Sequence, residues 1–182
     1  MTQIKPISDE TLEVLKNIPT QTLIDGLWVK GWPSGYVEGA KPLQLGQSMA
    51  GRAVTLRFVP HRPDIAEDKP KKEKSAEYLA IELCGPGEIL VIDAMGWEYS
   101  SIGGDIKFMR LMQLEVGGLV TDGGVRDSVA LKEYGFPVYS ASTTAKQGPA
   151  DFWPWQVNDA IQCGGVLVRH CLLYTSPSPR DS

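Results

Sequence analysis

The residue types best suited to chemistry fall in one block, residues 103–127, with the sequence GGDIKFMRLMQLEVGGLVTDGGVRD. Asp105, Asp122 and Asp127 supply carboxylates for a hard divalent cation, and Arg126 supplies a guanidinium for a carboxylate or an enolate. Two Gly-rich turns, Gly103-Gly104-Asp105 and residues 124–127, each precede a predicted helix, where backbone N–H groups favour anions. The same residues also have a plainer reading, since Asp before a helix is commonly an N-cap and Gly-Gly commonly a turn. Elsewhere such residue types are scarce. Two histidines, His61 and His170, and three cysteines leave little for a His-based metal site, a Ser-His-Asp triad, a zinc cluster or a disulfide scaffold. Cys84 and Cys163 lie in apolar stretches and read as buried, inert thiols. Carboxylates, Arg, Lys or backbone groups are therefore expected to carry any chemistry.

The elements around this block must bring its two turns together. Asp105 is expected to cap a helix bearing Ile106, Met109, Met112 and Val116 on one face, closed by Gly117-Gly118. Residues 119–121 form a short buried strand, residues 122–124 turn, and Asp127 caps a helix over 128–134 that ends at Gly135. A helix of about eleven residues carries the chain roughly 16 Å, and a strand of four or five residues returns it roughly 13–17 Å. Both Gly-rich turns are thus expected at one edge of a sheet.

The rest of the chain supplies that sheet. Ser8, Asp9 and Glu10 open a helix with Leu12, Leu15 and Ile18, and after Pro19 a second helix, capped by Thr20, carries Leu23, Ile24 and Leu27 towards Gly31. Residues 51–59 alternate as a strand, 60–74 read as a solvated, lysine-rich loop in preference to an anion-binding patch, and 75–84 as an amphipathic helix with Ala76, Leu79, Ala80 and Leu83 on one face. Residues 88–93 are a buried strand, 136–140 a further strand, and 157–168 two strands around Gly164-Gly165. Trp97, with Glu98 and Tyr99, reads equally as pocket lining or packing, and Trp153 and Trp155 as candidates for a subunit interface. Alternating strands and helices make the class α/β.

Composition narrows the function. The 182 residues hold 18 Lys plus Arg against 22 Asp plus Glu, a net charge of −4 that disfavours a nucleic-acid-binding surface. No apolar run reaches membrane-span length, and the first ten residues do not read as a signal peptide, so a cytoplasmic location is expected. No Gly-rich nucleotide loop follows the first strand, as a methyl-donor site would require. The ending CLLYTSPSPRDS, residues 171–182, looks like the in-frame translation of a sequencing adapter. The expected organisation is one domain over 1–170, cut short at its C-terminus, followed by a non-native tail.

The stretch GGD…TDGGVRD resembles the RraA-like family, which includes 4-hydroxy-4-methyl-2-oxoglutarate / 4-carboxy-4-hydroxy-2-oxoadipate aldolases and the regulators of ribonuclease activity. The family's signature is an Asp, twenty intervening residues and then Arg-Asp, matched here by Asp105 and Arg126-Asp127. The likeness extends to GAKPL near Gly39, GRAVTLRFVP near Gly51, PGEILVID near Pro86 and VNDAIQCGGVLV near Val157. The resemblance implies a layered α/β/β/α sandwich similar to the swivelling phosphohistidine domain, assembled as a trimer or hexamer with sites between subunits. It implies a class II aldolase using Mg²⁺ or another divalent cation such as Mn²⁺, cleaving hydroxy-oxo acids to pyruvate, with oxaloacetate decarboxylation beside it. Asp127 would bind the metal and Asp105 would hold a metal-bound water. Arg126 would contact the keto acid and steady the enolate oxygen, while backbone amides of Gly104, Asp105, Ile106 and Lys107 would receive the pyruvyl carboxylate.

Such a mechanism needs no histidine, because a cation and a guanidinium stabilise the enolate where its charge develops. The competing Schiff-base mechanism would need Lys107, Lys132 or Lys146, none of which has an apolar frame in the sequence. Two departures stand out. Ala130 occupies a position where the family often carries an acidic residue, and the chain stops before the family's C-terminal acidic segment. The alternative from the same resemblance is a non-catalytic, protein-binding regulator of ribonuclease E. Retention of Asp105, Arg126 and Asp127 leans against it.

Overall fold

A computed structural model describes residues 7–67, 69–171 and 173–175. Part of the first ten residues and most of the adapter-like tail, namely residues 1–6, 172 and 176–182, therefore lie outside the described residues. In chain order the elements are helices α1 (Asp9–Lys16) and α2 (Thr20–Val29), strands β1 (Lys41–Pro42) and β2 (Ala50–Pro60), and helices α3 (Pro63–Ala66) and α4 (Ala76–Leu83). Strand β3 (Ile89–Asp93), helix α5 (Asp105–Gln113), strands β4 (Gly118–Thr121) and β5 (Gly124–Val125), and helix α6 (Ser128–Tyr134) follow. The chain closes with β6 (Val138–Ser140), β7 (Ser142–Thr143), β8 (Phe152–Val157), β9 (Ile161–Cys163), β10 (Val166–Val168) and β11 (Leu173–Thr175).

The main sheet runs β1-β6-β4-β3-β2-β11, with β8 also paired to β2. The four central strands β6, β4, β3 and β2 are mutually parallel, while β1, β8 and β11 attach antiparallel. Parallel strands are buried on both faces and read as near-continuous apolar runs, which is why ILVID and GLVT carry no polar alternation. Successive residues still divide between two cores. Val54, Leu56, Leu90, Ile92, Leu119 and Val138 face helices α4, α5 and α6, where Ala80, Ile81, Phe108, Leu111 and Leu131 are buried. Ala53, Ile89, Val91, Val120 and Tyr139 face the opposite side, covered by Val37, Ala40, Met49 and the β9–β10 hairpin. The class is mixed α/β, with helices on one face of the sheet and a hairpin on the other.

Several helix details differ from expectation. In α5 the buried residues are Phe108 and Leu111, whereas Ile106, Met109 and Met112 are exposed. Burial of either set would contribute about 1.5–3 kcal/mol per side chain, and the sheet decides: Phe108 and Leu111 pack in one cluster with Leu56, Leu90, Ile92 and Leu119. In α4 the inward residues are Ala80, Ile81 and then Cys84, while Leu79 and Leu83 face out. Helix α5 stops at Gln113, and Glu115, at φ 57°, turns the chain before Gly117-Gly118; Gly118 is already in β4. Ser8 caps α1 by accepting from Thr11 N, as expected, but Pro19 rather than Thr20 holds the N-cap of α2. The 60–74 loop contains α3 and a 3₁₀ turn over Lys72–Lys74.

Five strands lie outside those expected from the sequence: the two-residue β1, β5 and β7, and the longer β8 and β11. Strand β8 continues from Phe152 to Val157 along β2, so Trp153 and Trp155 are half-buried sheet residues, with His61 stacked on Trp153 and Lys69 over Trp155. Residues 173–175, within the tail set aside on sequence grounds, pair with Ala50–Arg52 of β2. The physical reason is local: β8 covers β2 only from Leu56 onward, so the earlier edge offers free N–H and C=O groups to any extended backbone.

Candidate functional site

The two Gly-rich turns meet at the carboxyl end of the parallel sheet, the usual location of ligand sites in open α/β folds. Strand β3 leads through residues 94–104 to α5, and the adjacent β4 leads through Asp122, Gly123 and β5 to Arg126, Asp127 and α6. Backbone bonds tie the turns together: Ile102 N donates to Gly124 O at 2.9 Å and Arg126 N to Gly103 O at 3.1 Å. Strand β5 pairs in parallel with β7, and Ser101 bridges to both Gly124 and Gln147. Ser101 is buried, and its hydroxyl accepts from Gly103 N and donates to Gly103 O, fixing the glycine turn.

Asp127 sits at the N-cap position of α6 in the left-handed region, φ 58° and ψ 33°, and its side chain makes no capping bond there. It reaches across to α5, where Oδ2 accepts from Asp105 N at 3.2 Å and from Arg126 Nε at 3.3 Å. A non-glycine residue at positive φ costs of order 1–3 kcal/mol and clusters at functional sites. Asp105 occupies the first turn of α5 rather than its cap, which Gly104 provides. Its Oδ1 accepts from Ile106 N at 2.8 Å. Lys107 N donates to Gly104 O at 3.1 Å. Two carboxylate oxygens thus occupy amide donors at the start of α5, where an anion was expected.

Gly104 is required by this arrangement. A Cβ there would overlap Asp127 Oδ2 and lie 2.9 Å from Arg126 Cγ and Nε. On either side of Arg126 and Asp105 the surface opens into a cleft. One, of about 340 Å³, is lined by Tyr78, Ser101, residues 103–107 and the Gln147-Gly148-Pro149 turn. The other, of about 730 Å³, includes Asp127, Ala130, Glu133 and Thr144. Both clefts share Asp105 and Arg126.

Asp105, Arg126, Asp127, Gly104, Ile106 and Lys107 are therefore neighbours, whereas Asp122 is not part of the group. Its buried carboxylate accepts from Ala94 N at 2.7 Å, Gly96 N at 3.0 Å, Gln162 Nε2 at 2.8 Å and Gly164 N at 3.4 Å. With its lone pairs so used, Asp122 is a clamp between the β3 loop and the β9–β10 hairpin. Among the described residues no three His, Cys, Asp or Glu side chains converge on a metal site. Two carboxylates at a cleft still suit Mg²⁺, which keeps waters and substrate oxygens in its shell, better than Zn²⁺, which wants a full protein cage.

The lysine candidates are all engaged or remote. Lys107 Nζ donates to Glu77 and Lys146 Nζ to Asp151, each held against a carboxylate, and Lys132 is exposed on α6 and lines neither cleft. Trp97 packs edge-on to Tyr99 and lines neither cleft. Both interior thiols behave as expected. Burial pushes Cys84 up to about 12, and burial, with the Asp122 charge second, also pushes Cys163 up. What the sequence did not disclose is the Lys107 side chain in the smaller cleft. Its only signal was the ion-pairing residue Glu77 on another helix.

Comparison with known proteins gives a consistent picture. Residues 20–171 match the RraA-like family model, described as Aldolase/RraA. A Halalkalibacterium halodurans protein named "Putative 4-hydroxy-4-methyl-2-oxoglutarate aldolase" is 30% identical over 158 residues, 85% of this chain. The chain spans 66% of that relative's length. Among solved structures, Streptomyces coelicolor RraAS2, described as an unusual member of the RNase ES inhibitor RraA protein family, superposes with a TM-score of 0.85 at 26% identity. That match covers 96% of this chain and 84% of the other. The RNA-processing inhibitor RraA from Thermus thermophilis matches with a TM-score of 0.63 at 21% identity, over 85% of this chain and 87% of that one, a likeness of fold.

Proposed function

The chain belongs to the RraA-like family, and from that premise we propose that it is a divalent-metal-dependent aldolase, a carbon–carbon lyase releasing pyruvate from 4-hydroxy-2-oxo diacids, with oxaloacetate decarboxylation as a side activity. The observation that carries this reading is the junction of Asp127, Arg126 and the α5 N-terminus, with Asp127 Oδ2 3.2 Å from Asp105 N. In the retro-aldol step the C4 hydroxyl loses its proton, the C3–C4 bond breaks, and its electrons become the pyruvate enolate while C4 becomes a carbonyl. Arg126 is assigned to the enolate oxygen, where a guanidinium stabilises charge as it develops. The amides of residues 104–107 are assigned to the keto acid's carboxylate, with Asp105 and Asp127 side chains yielding the donors they now cap. Asp127 would hold the cation and Asp105 would orient the water that moves the proton. When bound, Mg²⁺ or Mn²⁺ would supply Lewis acidity at the keto oxygen.

Exposed Ile106 and Val129, which line the two clefts, and exposed Met109 and Met112 on α5 support a homo-oligomer, read as a trimer or hexamer. The helices, sheet and hairpin are read as the α, β and β layers of the α/β/β/α swivelling-domain sandwich. Among the described residues no helix is long and apolar enough to cross a membrane, and a cytoplasmic enzyme is the proposal that goes with it. The test is pyruvate release from 4-hydroxy-4-methyl-2-oxoglutarate and from oxaloacetate, with Mg²⁺ and with a chelator. Activity lost in chelator and in Asp127→Ala supports the reading. An unchanged rate in Asp127→Ala defeats the metal assignment, and activity in chelator that borohydride traps would transfer the reaction to a lysine.

A second reading is favoured by the likeness to RraAS2: a protein-binding regulator of ribonuclease E. Inhibition of the ribonuclease by the wild type and equally by Asp127→Ala, with no pyruvate formed, would establish that reading instead.

A further inference from the structure

The smaller cleft holds a second cation whose side chain has no assigned role. Lys107 lies on α5, two residues after Asp105, and its stem crosses Gly103, where a Cβ would stand 3.1 Å from Lys107 Cδ. The two glycines of the turn therefore have separate tasks. Gly104 leaves room for Asp127 and the Arg126 stem, and Gly103 for the Lys107 stem. Because the two glycines are adjacent, with Cα atoms about 3.8 Å apart, Lys107 and Arg126 enter the same cleft side by side. The Lys107 ammonium donates to Glu77 of α4, whose side chain is only 15% exposed, and lies 3.5 Å from Ile102 O. An ammonium has three donors, so one remains, on a side chain 28% exposed at the cleft wall. The larger cleft is different: beyond Arg126 its charged lining residues are Asp105, Asp127 and Glu133, all acidic.

Resting on the aldolase reading, we propose that Lys107 is a specificity-determining residue that receives the distal carboxylate of a dicarboxylate substrate, the one remote from the keto group. Glu77 holds the ammonium in place from below, and Arg126 takes the keto-acid end. The 340 Å³ cleft is then a seat with two cationic side chains for a five- or six-carbon diacid, whereas the larger cleft, which shares Asp105 and Arg126 with it, offers no cationic side chain beyond Arg126. A monocarboxylate of the same length leaves the Lys107 donor without its partner.

The test uses two matched pairs on the full chain. Calorimetry with Mg²⁺, and again without it, compares the inert acids 2-oxoglutarate and 2-oxopentanoate, which differ only by a distal carboxylate against a methyl. The wild type is expected to prefer the diacid about 10- to 100-fold, from one charge-assisted hydrogen bond. Lys107→Gln is expected to lose that preference through weaker diacid binding alone, and Lys107→Arg to retain most of it. The double variant Glu77→Gln/Lys107→Gln, which leaves no unpaired carboxylate between the helices, must behave as Lys107→Gln does. The catalytic pair is 4-hydroxy-4-methyl-2-oxoglutarate and 4-hydroxy-4-methyl-2-oxopentanoate, where the same loss should fall on KM for the diacid. No preference in the wild type, or an equal loss for both acids in the variants, overturns the assignment. Diacid preference without any pyruvate release would instead retire the aldolase reading and leave the Lys107 seat standing.

Discussion

An alanine at position 104 would bring its Cβ into overlap with Asp127 Oδ2 and within 2.9 Å of Arg126 Cγ and Nε. The backbone itself accepts the change, because Gly104 is extended at φ −140° and ψ −164°. All of the perturbation therefore falls on the two side chains assigned to cation and enolate. To regain ordinary contact the carboxylate must retreat by roughly 1.4 Å or more and the guanidinium stem by about half an ångström. Both are partly exposed and can move, so the fold should survive with a stability loss of about 1 kcal/mol or less. Catalysis should not tolerate the move. A misplacement of about 1 Å costs on the order of 100-fold in rate, about 2.7 kcal/mol of barrier. The assay is pyruvate formation coupled to NADH oxidation, with urea unfolding run on the same preparations. Gly26→Ala is the control, since Gly26 lies within α2 with nothing within 4 Å of an added Cβ. It should keep full activity and gain about 0.5–1 kcal/mol in the helix. Wild-type kcat/KM in Gly104→Ala would refute the idea that the Asp127–Arg126 arrangement seen here is the working one.

Other outcomes follow from the same structure. Arg126→Ala should lower kcat about 100- to 1,000-fold with KM for oxaloacetate less affected, because its main contact strengthens as the enolate forms. Asp122→Asn should destabilise the fold by about 2–4 kcal/mol in urea unfolding, since an amide nitrogen would face N–H donors that the carboxylate now accepts. Of the three thiols, exposed Cys171 should react with a disulfide reagent in the native protein, and Cys84 and Cys163 only on denaturation. The two buried thiols also set an alkaline limit. Their native values lie above the unfolded one, so their contribution to stability is complete below about pH 9 and declines as pH rises towards 12. The expected slope is about 1.4 kcal/mol per pH unit for each thiol, and Cys84→Ala should reduce it in unfolding measured between pH 9 and 11.

The meeting of the two Gly-rich turns was legible in the sequence because it depends on lengths alone. A helix and a strand of matched reach must return the chain to the same edge, and small errors in their ends cancel. The buried face of α5 was not legible. Ile106, Met109 and Met112 recur at helical spacing, but so do Phe108 and Leu111, and only the sheet beneath decides between the two sets. Asp122 resisted for a different reason. Its four donors come from residues 94, 96, 162 and 164, and a contact spread over such separations leaves no local pattern. Strand β8 was hidden by Pro154, which pairs at a register shift on an outer strand where a missing N–H is tolerated.

The Asp122 clamp also bears on how the protein can be recombined. Gln162 Nε2 donates at 2.8 Å to both Asp93 and Asp122, the residues that end β3 and begin the turn after β4. The hairpin on the far face and the two turns that frame the clefts therefore form one inseparable unit of inheritance. A chimaera that takes residues 93–127 from one relative and 158–168 from another would place its seam across the Asp122 junction, separating the Gln162 and Gly164 donors from the carboxylate they serve. Exchanges that keep those segments together, and move only α1, α2 or the 60–74 loop, should preserve both fold and site.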